Sequence, residues 1–329
     1  MSRKISRSLI NGRVGVGTGG QGLKVEWDST NDGELHWMDV NESSLEYVAP
    51  NWYGDRGVFA GGVDGGTTYD VIDYINIAST GNASDFGNLT AAAETLGACS
   101  SGTLGMFAGG SLLDYITIAT TGNATDFGDD LVSSQTFKGG CSNGTRGLFA
   151  GGATSDAIDY LTIATSGTVY DFGNLTVGRR LNGGCSNGTR GFWGGGYPTT
   201  NVIDYVTIDT TGNATDFGDL TLARLYNSCC SDSTRAVWVG GNDANDIMDY
   251  VTMSTPGNAS DFGDLTAGRQ ALSATSNNTR GVIGSGNQAT SGTNALPVID
   301  YITIASTGNG TDFGDLTVGR EQLTATAGD

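Results

Sequence analysis

VGRRLNGGCSNGTRGFWGGGYPTTNVIDYVTIDTTGNATDFGDLT, residues 177–221, is one copy of a unit that recurs six times in a chain of 329 residues. Asp-Tyr marks the copies at Asp73, Asp114, Asp159, Asp204, Asp249 and Asp300, in steps of 41, 45, 45, 45 and 51. Twelve residues after each comes a second Asp followed by Phe-Gly, at Asp85, Asp126, Asp171, Asp216, Asp261 and Asp312. The first interval varies and the second never does. A free loop behaves like the first and a rigid hairpin like the second. Self-similarity recurring in steps of 41 to 51 residues is the signature of a repeat architecture.

Four strands fit the unit: 181–185, rich in small residues; 191–194, ending in glycines; 202–208, alternating as IDYVTI; and 214–220. Thr-Gly-Asn between the last two reads as a hairpin turn, because Gly and Asn accept positive φ cheaply. It recurs at Gly81-Asn82, Gly122-Asn123, Gly257-Asn258 and Gly308-Asn309. No stretch of the unit has a helical period or helix caps. A large apolar residue precedes each diglycine: Phe59, Phe107, Phe149, Trp193, Trp238 and Ile283. These are expected to pack blade against blade, with the glycines allowing close backbone approach.

The chain ends on Gly319-Arg320-Glu321-Gln322-Leu323-Thr324-Ala325, a first strand with no second strand after it. The first copy, conversely, opens at Arg56 with a second strand. The expected fold is all-β: a six-bladed propeller over 51–329, with four-stranded blades, closed when the C-terminal strand completes the first. Closure removes the sheet edges that would promote aggregation.

Composition agrees. Glycine is abundant (54) without a Gly-X-Y period, and proline is scarce (4). Of the 28 acidic residues after position 50, only Glu94 and Glu321 are Glu. Asp favours turns and strand ends, Glu helices. A net charge of −19 argues against nucleic acid as partner, since phosphate binding needs clustered Lys and Arg. No stretch has the length of a membrane span, and MSRKISRSLING has no apolar core of a secretory signal, so synthesis in a cytoplasm and no membrane insertion are expected.

The order Phe149-Ala150-Gly151-Gly152, Asp159-Tyr160, Asp171-Phe172, Arg179 resembles the kelch repeat, over roughly 51–329. Phe stands where kelch units carry Trp, and the trailing Arg, present at Arg179, Arg224, Arg269 and Arg320, is missing after the first two copies. The wording DYITIATTGNATDFGDLT is similar to kelch-like virion proteins of marine tailed phages, especially those of cyanobacteria. That resemblance implies a structural or adhesive role on a virus particle.

Residues 1–50 lack the repeat. Arg3, Lys4 and Arg7 make a basic tip, and a hairpin is expected at 23–27 and 34–38 around Asn31-Asp32-Gly33. We read the segment as a docking arm for other virion proteins.

A catalytic constellation is not expected. His36 is the one histidine, which argues against a Ser-His-Asp arrangement or a His metal cluster. The Asp pairs could suggest a glycosidase, but six equivalents point to turn caps and strand-end hydrogen bonds. Cys99, Cys141, Cys185 and Cys230 share one position in four copies and read as small buried fillers at the centre of the ring. No metal and no cofactor are expected.

Binding should lie where copies differ. Between the second Gly and Asp-Tyr the links number 10, 3, 6, 7, 7 and 13 residues and belong to one rim. Tyr69, Tyr197, Asn201, Asn287 and Asn294 in those links could contact a sugar or a protein. Three functions follow: a tail or fibre protein that recognises a host-surface glycan or protein; a capsid decoration or tail component without a receptor role; and, less favoured, a polysaccharide-acting propeller enzyme. A homo-oligomer suits a fibre, although no coiled-coil heptads support one.

Overall fold

The structure is a computed structural model that describes residues 53–128, 131, 136–153, 155–165, 168–242, 245–288 and 295–329, and the backbone of two strands nearer the N-terminus. The chain divides into two units, Met1–Ala49 and Pro50–Asp329. In the first, Leu23–Trp27 pairs antiparallel with Leu35–Asp39, Leu23 opposite Asp39. The second strand starts one residue later than the sequence suggests. Arg3, Lys4, Arg7 and the His36 side chain lie outside the described residues.

The second unit is a six-bladed β-propeller of four-stranded antiparallel sheets. In blade four the strands are Gly183–Ser186, Arg190–Gly194, Val202–Thr207 and Thr215–Asp219, each within a residue or two of expectation. First strands of neighbouring blades pack around the axis. Closure is as expected: Thr324–Gly328 pairs with Arg56–Ala60, Thr324 opposite Ala60, and completes blade one with Val71–Asn76 and Ser84–Asn88. The longer first link folds into its own small hairpin, Val63–Asp64 with Thr67–Thr68.

The apolar residues before the diglycines are fully buried between blades. Trp193 and Trp238 donate their indole N–H groups to Gly139 and Gly183 carbonyls of the preceding blade, at 3.0 and 3.1 Å. A Cβ on Gly194, the strand residue just before the diglycine, would stand 2.6 Å from the Trp238 indole nitrogen, so glycine there gives the ring its space. Burying one such side chain stabilises by about 1.5–3 kcal/mol. The Phe of Asp-Phe-Gly is also core. In five blades a register shift in the third strand, between Ile203 and Asp204 in blade four, leaves this Phe unpaired. Phe217 there meets Tyr205 edge-on at 5.6 Å.

The Asp of Asp-Tyr does more than cap a turn. Asp204 is fully buried and accepts from Arg179 at 2.9 Å and from the Thr176 hydroxyl at 2.5 Å, both from the link that enters its blade. Thr221 and Arg224 hold Asp249, Thr266 and Arg269 hold Asp300, and Thr317 and Arg320 hold Asp73. A Thr-x-x-Arg segment therefore clasps the next blade. Burial is the dominant influence on the pair in blade four: it raises Asp204 and lowers Arg179, while their mutual attraction opposes both shifts. Two junctions lack the Arg. Asp114 has Thr90 alone among the described residues, with Ala93 in the Arg position. Asp159 takes Lys138 at 3.1 Å, from a position next to the first strand. The second Asp of the pair acts as a cap in blades two and four, where Asp126 and Asp216 accept from the Gly128 and Gly218 N–H groups at 3.1 Å.

The Thr-Gly-Asn turns differ from expectation. Gly212 has φ 156, nearly extended, and none of the turn asparagines has positive φ. Asn213 instead accepts from the Asn174 N–H of the preceding blade at 3.1 Å, and the equivalent bond recurs at four other junctions. The glycine that is needed belongs to Asp-Phe-Gly. Gly218 has φ 146, and a Cβ there would stand 2.4 Å from the Gly257 carbonyl oxygen of the next blade.

Candidate binding site at the axial mouth

Each blade enters its first strand through one residue with φ between 54 and 68: Thr95, Phe137, Leu181, Tyr226, Ala271 and Gln322. The left-handed region costs a non-glycine residue of order 1–3 kcal/mol unless its surroundings fix it. Here a hydrogen bond fixes it. The N–H of Thr95 donates to Gln322, Phe137 to Thr95, Leu181 to Phe137, Tyr226 to Leu181, Ala271 to Tyr226 and Gln322 to Ala271, at 2.7–3.1 Å. The six bonds close a ring around the axis, made entirely of main chain. The side chains take no part in it, and they differ in every blade. Together with the first strands they line a cavity of about 100 Å³.

The residues just before this ring are Glu94, Thr136, Arg180, Leu225, Gln270 and Glu321. Four of them meet a link between second and third strands through main-chain bonds: Arg180 with Tyr197, Leu225 with Asn242, Gln270 with Asn287 and Glu321 with Val63, at 2.7–3.1 Å. The variable links are thus drawn onto the mouth.

Of the residues expected to bind, Tyr197 and Asn287 come to this mouth. Tyr197 follows the diglycine with a cis bond to Pro198, is 44% exposed and covers the Arg180 guanidinium at 4.9 Å. Asn287 donates its amide to Glu321. Tyr69 and Asn201 have main-chain duties that other residues fill elsewhere. The Tyr69 carbonyl accepts from Ala93 as Thr200 does from Arg224, and the Asn201 carbonyl accepts from Leu220 as Asp156 does from Leu175. Asn294 lies outside the described residues.

The mouth is electrically polarised. Blades one and four face each other across a ring of six, which sets Glu321 opposite Arg180. Glu94 stands beside Glu321 on blade two. Burial pushes the Glu321 carboxyl up, helped by Asp64 and Glu94. The Tyr226 hydroxyl is also raised, first by burial; Arg180 pulls it down while Glu321 and Glu94 push it up. Arg180 lies between the Phe137 ring at 5.3 Å and Tyr197. Among the described residues its guanidinium has no hydrogen-bond or ion-pair partner, and its Nε is buried without one. Every other positively charged side chain among the described residues is engaged, either in the clasps or on main-chain carbonyls of a neighbouring blade.

The sequence reading missed the ring, Arg180 and the acidic pair. It assigned Leu181 to the first strand, and nothing in Thr, Phe, Leu, Tyr, Ala or Gln signals positive φ. The available signal was the one applied to link lengths: the row just before the small-residue run differs in every copy.

At the opposite mouth the cysteines border a second cavity of about 100 Å³ with Ser100, Ser142, Ser186, Ser231 and Ser276. The thiols are buried, as expected, and a Cβ on Gly147, Gly191 or Gly281 of the next blade would lie 2.5–2.6 Å from a sulfur. Cys229 and Cys185 approach with sulfurs 2.7 Å apart. No group of three or more metal-ligating His, Cys, Asp or Glu side chains occurs among the described residues.

No protein-family model matches the chain, and no curated protein matches it.

Proposed function

We propose that the chain is a non-enzymatic phage virion protein, carried on the tail or its fibres. In this reading the propeller offers the rim around Arg180 to a host-surface glycan or protein, and residues 1–50 attach it to the particle. A β-propeller is consistent with a binding or structural role. The observation that carries the reading is the mouth itself: a main-chain ring holds six different side chains, and the exposed Tyr197 and an unpaired Arg180 stand over it. Binding sites are commonly variable segments positioned by a rigid scaffold. The similarity of the repeat to kelch-like virion proteins supports the setting. A non-catalytic role is supported by the Asp pairs: in blade four one member is spent in a clasp and the other on a strand-end N–H.

Antibody labelling of purified particles, viewed by electron microscopy, tests the placement. Label at tail tips or fibres is the expected result; label over the head overturns the tail assignment and favours decoration. Adsorption of the full chain to host cells tests the rim, and Tyr197→Ala with Asn287→Ala should reduce it. Undiminished adsorption by that double variant moves the contact surface elsewhere.

A further inference from the structure

We infer that the axial mouth binds the terminal residue of a saccharide that carries a carboxylate, a sugar acid of the uronate type. The inference rests on the reading that this rim binds a surface glycan.

Charge narrows the ligand first. The chain carries −19, so a polyanion is repelled as a whole. Phosphate-rich chains need several cations, and the mouth offers one. A single carboxylate asks for one guanidinium, and among the described residues Arg180 is the one without a hydrogen-bond or ion-pair partner. Arginine is suited to the task because its planar fork matches a carboxylate, and stacking between Phe137 and Tyr197 restrains that fork before any ligand arrives. Tyr226 holds the ring place next to Leu181, the residue after Arg180, and lines the same cavity, so its hydroxyl adds a hydrogen-bond donor on that side of the mouth.

The opposite side selects the rest of the ligand. Glu321, Glu94 and the Asn287 amide oxygen are acceptors; Glu321 already takes the Asn287 amide, and the Asn287 Oδ1 is buried without a donor. They call for hydrogen-bond donors, which the hydroxyls of a sugar provide. A simple fatty or aromatic acid supplies none. Tyr197 and Leu181 present apolar surface of the sort a pyranose face packs against.

Size favours an end over a chain. The cavity below the ring, about 100 Å³, is smaller than the roughly 300 Å³ at which drug-sized pockets begin. One residue can rest on the mouth with its acid group inward, while the remaining saccharide leads away from the axis.

Saturation-transfer NMR on the full chain, with methyl glucuronoside and methyl glucoside as probes, tests the assignment. The glucuronoside should bind at least ten-fold more tightly, and added salt should weaken it. Arg180→Gln should lower its affinity at least ten-fold, with the melting temperature as the check on folding. Tyr226→Phe keeps the ring, removes the hydroxyl, and should lower affinity several-fold, so the assignment stays testable if Arg180→Gln does not fold. Equal binding of both probes, or no loss in either variant, overturns the carboxylate assignment. Absence of glucuronoside binding also overturns it. If the protein then still adsorbs to host cells and the rim variant abolishes this, the rim reading survives. If neither probe nor cells are bound, both fall.

Discussion

The two ends of the propeller axis close in opposite ways. At the mouth around Arg180, main-chain bonds make the ring and side chains are free to differ. At the other mouth, side chains make it: Ser142 donates to the Ser100 carbonyl, Ser186 to Ser142, Ser231 to Ser186 and Ser276 to Ser231, at 2.5–2.8 Å. Ser100 continues the series to Ala327, where no hydroxyl exists to donate back to Ser276. Tyr53 sits over this end and donates to the Ser186 carbonyl at 3.2 Å. A side chain that holds the fold together cannot also vary to recognise a ligand. The fold therefore concentrates its chemical freedom at one end, and that is where the unpaired charge lies.

The largest effects should come from the clasps that support both ends. Asp249→Ala removes the partner of Arg224 and leaves a fully buried guanidinium. Breaking a buried ion pair from one side costs about 3–5 kcal/mol. Denaturant unfolding should show a loss of that size, and a loss under about 1 kcal/mol would mean that the clasp is ornamental. The junction at Asp114, which has Thr90 but no Arg, should tolerate Asp114→Asn far better.

Next in size is a dependence on alkaline pH, rooted at the serine end. Burial raises the thiols of Cys99, Cys141, Cys229 and Cys230 above the ordinary 9.0. Below pH 9.0 thiols are protonated in folded and unfolded chains alike, so their contribution to stability is fully present. Above it the unfolded chain releases protons that the folded chain keeps, and stability falls. Each thiol should cost up to about 1.4 kcal/mol per pH unit there. Cys99→Ala should flatten the slope of stability against pH between 9 and 10; an unchanged slope would place Cys99 in contact with water.

The contrast between the ends also explains what the sequence discloses. The period, the hairpins and the ring closure are legible because each depends on local pattern: recurrent spacing, small first strands, and a first strand left over after the last blade and lacking in the first. The clasps are half legible. Thr176 and Arg179 are visible as a recurring Thr-x-x-Arg, but Asp204 lies in the next blade, and Lys138 fills the Arg role from a different position. The turn asparagines misled because their chemistry allows positive φ, whereas here they bridge blades. The mouth is least legible. Its geometry is imposed by a main-chain ring that side chains as different as Thr, Phe and Gln join, so identity there carries little structural message.

Completing the serine ring should have a smaller effect. Ala327→Ser places a hydroxyl where it can donate to the Ser276 carbonyl, the one open step in the series. A net hydrogen bond of this kind contributes about 0.5–1.5 kcal/mol. A rise in stability within that range fits a ring of side-chain bonds; a fall would mean that the space around Ala327, which is 7% exposed, has no room for the added oxygen.

The smallest effect should come at the mouth proper. Gln322 contributes its N–H and its carbonyl to the main-chain ring, and neither depends on its side chain. Blade six already has Ala271 at the equivalent step, with φ 54. Gln322→Ala should therefore change unfolding stability by no more than about 0.5 kcal/mol, the usual range for a surface substitution away from special features. The same change at the other mouth, Ser186→Ala, removes a donor from the Ser142 carbonyl and should cost about 1 kcal/mol or more. The test is the difference between the two, measured under one set of conditions. If Gln322→Ala proves as costly as Ser186→Ala, the mouth side chains bear structure as well, and their variation from blade to blade would reflect packing instead of freedom to bind.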